Sequence, residues 1–142
     1  MQSERSIEQS IHSPHLRHVA AVGTEGRGPT TDRRIALSVR IIEKEYQRPN
    51  LDTSELAKLF HLSKSRFRHL FLQQVGKSPS RFLKTVRLQN ARFLLETSFL
   101  AVKEVMHKVG YTDASHFTRD YRATYHVPPS KHLRQFFTAA AG

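Results

Sequence analysis

Residues 63–83 read SKSRFRHLFLQQVGKSPSRFL, and fifty positions later residues 113–133 read DASHFTRDYRATYHVPPSKHL. The pairs Ser65/Ser115, Phe67/Phe117, Phe71/Tyr121, Pro79/Pro129, Ser80/Ser130, Arg81/Lys131 and Leu83/Leu133 align without a gap, so one supersecondary unit has been used twice. In each copy a short amphipathic helix and a tight turn lead to a polar cap, Ser63 or Asp113. A second helix follows, and a Ser-Pro or Pro-Pro start opens a third. That order predicts a helix-turn-helix with a supporting helix, and hence a chain with two DNA-reading elements.

Working outward, Thr31 or Asp32 caps a first helix whose Ile35, Val39, Ile42 and Tyr46 fall at core-facing spacing, and Arg48-Pro49-Asn50 ends it. Asp52 is read as the cap of a second helix, with Glu55 at capping-box spacing and Leu51 as a staple. That helix runs to about Phe60, buries Leu56 and Phe60, and keeps Ala57 small where two helices approach. After the turn at His61-Leu62, Phe67, Leu70, Phe71 and Val75 form the inner stripe of the third helix. Lys64, Ser65, Arg68 and His69 form its outer one, with Arg66 on the flank. Gly76 suits the helix end, and Pro79 opens a fourth helix to about Thr97, some ~28 Å long. Its Phe82, Val86, Ala91, Leu94 and Leu95 are placed inward, and Lys84, Arg87 and Arg92 outward.

A fifth helix spans Leu100 to about Val109. The turn Gly110-Tyr111-Thr112 and the cap Asp113 lead into a sixth, with Phe117, Tyr121 and Tyr125 inside and Ala114, Ser115, Thr118 and Arg119 outside. A last helix passes through Leu133, Phe136 and Phe137. The expected fold is all-α, with about seven helices forming two helix-turn-helix subdomains joined by a long central helix over residues 32–137. Residues 1–31, with Pro14 and the run from Gly23 to Pro29, read as a flexible tail and linker, and 138–142 as a C-terminal tail.

The chain has 142 residues, 23 Lys+Arg and 12 Asp+Glu, a net charge of +11. Residues 1–31 hold three of each sign, which leaves 20 basic and 9 acidic residues from Asp32 onward. A domain so charged has a polyanion as its natural partner, and here that charge accompanies a reading motif, so double-stranded DNA is the expected partner. A nonspecific architectural protein coating DNA or RNA by charge is the alternative, but it has no need of two capped reading helices. The absence of cysteine excludes disulfides and zinc fingers. No apolar run approaches a membrane span and no export signal is evident at the N-terminus, so a cytoplasmic protein without membrane contact is expected.

Base edges present discrete donors and acceptors in the major groove, so a reading face needs short polar side chains and one or two long basic ones. Arg68 and Arg119 can each fork onto a guanine, while Ser65, His69, Ser115 and Thr118 can add single hydrogen bonds and Ala114 can meet a thymine methyl. Lys64, Arg66, Lys77, Arg81, Lys84, Arg122 and Lys131 are the phosphate candidates. His12, His15 and His18 are spaced by three, but Pro14 breaks any helical arrangement and neither Cys nor carboxylate lies close, so neither a metal nor another cofactor is expected. Asp113, Ser115 and His116 sit within one helical turn and cannot form a nucleophile relay, so the protein is not read as an enzyme.

With these residues assembled, Asp32 to Arg134 resembles the AraC/XylS family of bacterial transcription regulators. The likeness rests on Leu56-Ala57, Leu62-Ser63, Phe67, Leu70-Phe71, Gly76 and Ser78-Pro79, then Arg87-Leu88, Ala91, Leu94-Leu95 and Val105. It continues through Gly110-Tyr111, Asp113, Ser115, Phe117, Arg119, Tyr121 and Val127-Pro128-Pro129. The resemblance implies base contacts from Ser65, Arg68 and His69 in one reading helix and Ala114, Ser115, Thr118 and Arg119 in the other. It also implies transcriptional activation, contact with RNA polymerase and an effector or dimerisation domain, for which residues 1–31 are too few. Three positions depart from the family pattern: Met106 stands at a usual Ala, His126 at a common Gly, and Val105 at a common Ile. The unlike outer stripes predict an asymmetric site bound by a monomer, with reading helices about one DNA turn, ~34 Å, apart on DNA that is bent or readily bent.

Overall fold

Helices this short stand only where their free ends are closed and one face is buried. A computed structural model of the chain describes residues 31–133. The expected tail, the three histidines within it, Phe136, Phe137 and the C-terminal tail lie outside the described residues. Six helices follow in order: α1 Arg33–Glu45, α2 Ser54–Leu59, α3 Lys64–Val75, α4 Pro79–Thr97, α5 Val102–Lys108 and α6 Ala114–Tyr125. Residues 129–133 are again helical, and there is no strand among the described residues. The described residues divide into two compact units, one made of residues 31–43 with Ser54–Pro79, the other of Lys44–Thr53 with residues 80–133.

In the first unit, Asp32 accepts from the Arg34 backbone N–H at 2.9 Å and pairs with the Arg34 guanidinium at 2.7 Å, a hydrogen-bonded contact that lowers its carboxyl pKa. Its own N–H donates to Gln74 Oε1 at 3.0 Å, which ties the start of α1 to α3. Ile35, Val39 and Ile42 are buried on one face of α1, together with Ser38, whose hydroxyl donates to the Arg34 carbonyl at 2.8 Å. Six residues cannot sustain an isolated helix, so α2 depends on packing against α3, where Leu56, Ala57, Phe67 and Phe71 are all buried. Phe60, expected inside, is only half-buried because α2 ends at Leu59, and Leu70 and Val75 are half-buried as well.

The second unit is built on Leu88, Ala91, Leu95, Val105, Met106, Val109, Tyr111, Phe117 and Tyr121. Leu94 and Tyr125, expected fully inside, pack at the margin of this cluster, while Leu83 and Leu88 join the buried set. Met106 is 3% exposed: its unbranched, deformable side chain fills the place where a small residue was expected, and the core closes around it. The Tyr121 hydroxyl hydrogen-bonds the His132 ring and so links α6 to the final helical turn.

Arg87 corrects the sequence reading, which placed it outside. It is half-buried, with Nε donating to the Tyr46 carbonyl at 2.9 Å and Nη2 to the Arg48 carbonyl at 2.7 Å. Carbonyls at a helix end have no partner within the helix, and a guanidinium carries enough donors to serve the Tyr46 carbonyl and also the Arg48 carbonyl, which accepts from the Leu51 N–H at 3.2 Å as well. Its burial lowers its pKa. Gly110 occupies the same junction at φ 94°, where an added Cβ would lie 2.7 Å from the Tyr46 oxygen and 3.0 Å from Arg87 Nε.

Two glycines and two histidines close the helix ends. His61 (φ 56°) and Gly110 terminate α2 and α5 in the same motif: Leu62 N–H donates to the Ala57 carbonyl and His61 N–H to Lys58, as Tyr111 does to Met106 and Gly110 to His107. Gly76 (φ 83°) and His126 (φ 64°) end α3 and α6 with single bonds to the Leu72 and Arg122 carbonyls. The repeat therefore runs with an offset of 49 through the turn and 50 through the helix that follows it, Thr112 being the extra residue.

Thermal unfolding of point variants tests these closures. Gly76→Ala meets no atom within 4 Å and should cost only its left-handed backbone, roughly 1–2 kcal/mol. Gly110→Ala adds the clash with Tyr46 and should cost about 3 kcal/mol or more. His126→Gly should gain up to about 1 kcal/mol. Equal losses at the two glycines would show that the approach to Tyr46 carries no energy.

Glu43 gives a second test. Burial raises its carboxyl pKa, the nearby Arg40 only partly offsets this, and Oε1 has no hydrogen-bond partner among the described residues. A raised folded-state pKa means a stability contribution that is full below the ordinary value of 4.5 and is lost as pH climbs through the raised one. Glu43→Gln should therefore raise the melting temperature at pH 7 and flatten its decline with rising pH. A variant less stable than the parent at pH 7 would contradict this.

Candidate nucleic-acid interface

The outward faces of α3 and α6 are set by their caps and inner stripes. Ser63, extended at φ −66° and ψ 154°, accepts the Arg66 N–H on its hydroxyl at 3.1 Å and starts α3. Asp113, extended at φ −119° and ψ 122°, accepts the His116 N–H at 2.7 Å and starts α6. Phe67 and Phe71 turn inward from α3, their ring centroids 5.8 Å apart, and Phe117 and Tyr121 do the same from α6, also at 5.8 Å. Each helix is thereby fixed in rotation, and the opposite face is left to solvent.

On α3 that face is a shallow groove lined by Lys64, Ser65, Arg68, His69 and Leu72. On α6 it is lined by Ala114, Ser115, Thr118, Arg119 and Arg122. Every member of the second set lies fifty residues beyond its counterpart in the first. All seven expected base-contacting residues fall in these two rows, and all are exposed except Thr118, which is half-buried. Arg68 and Arg119 are not counterparts: Arg68 corresponds to Thr118, and Arg119 to His69. The guanidinium thus enters each row one position apart, and the two rows offer different chemistry on the same scaffold.

The expected phosphate contacts are less uniform. Lys64 and Arg122 belong to the rows themselves, whereas Arg66, Lys77, Arg81 and Lys131 are exposed outside them. Lys84 is exposed, but its Nζ lies 3.6 Å from Asp120 Oδ1, so its charge is partly matched within the protein. Sequence reasoning gave no part to Asp120. It is 8% exposed, accepts from the Tyr111 hydroxyl at 2.9 Å, and lies 3.1 Å from His116 Nε2. The i, i+4 spacing from His116 was the available signal for that contact. Burial, followed by the hydrogen bond to Asp120, pushes the Tyr111 hydroxyl pKa up and keeps the hydroxyl a donor. Leu72 was also missed, although it lies four residues beyond Arg68 and three beyond His69 on the same face.

The rows carry hydrogen-bond donors, acceptors and positive charge on open surface, suited to contact and not to the enclosure of a reacting molecule. Among the described residues no group of His, Asp and Glu is placed to hold a metal ion, and no helix is long and apolar enough to cross a membrane. Because Tyr111 is one of three groups satisfying a buried carboxylate, Tyr111→Phe should cost about 1–3 kcal/mol in thermal unfolding while leaving both rows intact. An unchanged melting temperature would show that the Lys84 and His116 contacts suffice.

A helix-turn-helix domain model matches residues 56–135. The chain is 39% identical over 90 residues to an HTH-type transcriptional regulator of Haemophilus influenzae, covering 62% of this chain and 30% of that protein. It is 30% identical over 116 residues to the arabinose operon regulatory protein of Escherichia coli, covering 82% of this chain and 39% of the relative. The chain thus spans well under half the length of these curated relatives. Among solved structures, the DNA-binding domain of AdpA in complex with a target DNA aligns with a TM-score of 0.70 at 24% identity, covering 75% of this chain and 95% of that one. A transcriptional regulator with an AraC-type DNA-binding domain from Chromobacterium violaceum aligns at 0.65 and 24% identity, covering 73% and 92%. The proteins it resembles are regulators of transcription, not enzymes.

Proposed function

The chain belongs to the AraC/XylS family of helix-turn-helix domains, and from that premise we propose that it is a sequence-specific regulator of transcription reading two successive major-groove segments of double-stranded DNA. The observation that carries this reading is the recurrence, at five equivalent positions, of an outward row behind an N-capped helix with a buried aromatic stripe. A protein holding DNA by charge alone needs basic side chains anywhere on its surface. It does not need matched faces in which Ser, Thr, His and Arg stand at fixed spacing.

In this reading Ser65, Arg68 and His69 meet base edges in one segment, and Ala114, Ser115, Thr118 and Arg119 meet them in the other. Arg forks address guanine, hydroxyls take either donors or acceptors, and the Ala114 methyl suits thymine. Lys64, Arg66, Lys77, Arg81, Arg122 and Lys131 hold the phosphate backbone. Lys84 joins them by exchanging Asp120 for a phosphate. The rows differ position by position, so the site is asymmetric and a single chain occupies it. Activation through a contact with RNA polymerase, in the cytoplasm, extends the proposal on the family resemblance.

Selection of bound sequences from random duplex DNA, followed by Arg68→Ala and Arg119→Ala, tests it. Each variant should lose about 1–3 kcal/mol and relax base preference at a different end of the selected site. Uniform weakening on every sequence, or a selected site with two-fold symmetry, would contradict the proposal.

A further inference from the structure

Five large apolar side chains are exposed among the described residues: Leu37 at 38%, Leu59 at 60%, Leu72 at 48%, Phe93 at 62% and Phe99 at 91%. A single exposed leucine is ordinary on a protein surface. Leu72 differs from the other four in its place, since it alone lies on a reading helix and lines the α3 groove with Lys64, Ser65, Arg68 and His69. We infer that Leu72 is a specificity-determining residue of the first reading helix, one that selects thymine through its 5-methyl group. The inference rests on the proposal that the α3 row faces base edges.

One observation favours a chemical role over chance. The counterpart of Leu72 in the second row is Arg122, so the repeated scaffold accepts a charged side chain at this position and folding does not require an apolar one. On the major-groove edge, the thymine methyl is the apolar group that distinguishes one base from the rest. A leucine half-exposed in water gains by covering it, and a polar or charged side chain does not.

The row runs from Lys64 to Leu72, eight residues along an α-helix or about 12 Å, so one helix face can address a few neighbouring base pairs. Arg68 and Leu72 are one helical turn apart and should therefore govern neighbouring positions. Burial of one methyl is worth about 0.8 kcal/mol, which corresponds to about a fourfold change in affinity.

The test uses the duplex selected by the wild-type chain, with each thymine replaced in turn by deoxyuridine, a change that deletes only the methyl. Dissociation constants are measured by fluorescence anisotropy for wild type, Leu72→Ala and Leu72→Met. At one thymine beside the position governed by Arg68, wild type should lose about fourfold on deoxyuridine, Leu72→Met should lose a similar factor, and Leu72→Ala should lose none. Two results would overturn the inference: the same methyl sensitivity in Leu72→Ala as in wild type, or no thymine in that segment. Arg68→Ala separates the two levels. If it still relaxes a base preference, only the role of Leu72 falls; if it relaxes none, the placement of the α3 row on base edges falls first.

Discussion

The outward rows of α3 and α6 depend on an abrupt reversal of the chain ahead of each of these helices. Neither α2, with six residues, nor α5, with seven, can hold itself by backbone hydrogen bonds alone. Each must stop within one residue and hand the chain to a helix running in another direction. A left-handed residue makes the stop, allowing the next N–H to bond back to the Ala57 or Met106 carbonyl, and an oxygen-bearing side chain makes the start. The two events lie two or three residues apart, so the direction of α3 or α6 is set locally. The buried aromatic pairs then set its rotation. Only when direction and rotation are both fixed does an outer face have a defined chemistry.

The two copies reach this arrangement with residues exchanged. Histidine closes the turn and glycine ends α3 in the first copy, whereas glycine closes the turn and histidine ends α6 in the second. The glycine of the second turn is the more constrained of the two, because the Tyr46 carbonyl and the Arg87 guanidinium crowd against it and leave no room for a Cβ. Arg87 connects that turn to the segment after α1 by donating to the Tyr46 and Arg48 carbonyls, the second of which also accepts from the Leu51 N–H. A residue that looks like surface charge in the sequence is thus a structural bolt. Asp120 acts similarly: a carboxylate in a strongly basic chain is kept nearly out of water by Tyr111, His116 and Lys84.

Much of this was legible from the residues. The caps Ser63 and Asp113, the extent of α4 from Pro79 to Thr97 and the outer stripes of α3 and α6 follow from periodicity and from residues with few other uses. The failures share a cause. Arg87 lies on a polar stripe of α4, and periodicity cannot reveal carbonyls contributed by a segment about forty residues away. Phe60 is apolar at helical spacing, but α2 ends one residue before it. Leu72 was left out of both stripes of its helix, although its position one turn beyond Arg68 places it on the outer one. The left-handed His61 and His126 carry no signal as strong as glycine, and their backbone conformation emerges only from the turn that contains them.

Exchange of one row for the other is the most direct test that sequence choice resides in the two faces. Lys64→Ala, Arg68→Thr, His69→Arg and Leu72→Arg together give α3 the outward row of α6, since Ser65 and Ser115 are already alike. Selection from random duplex DNA with this variant should return a site whose two segments carry the same preference in the same orientation, a direct repeat replacing an asymmetric site. Recovery of the parental site by a folded variant would contradict the placement of specificity in these rows.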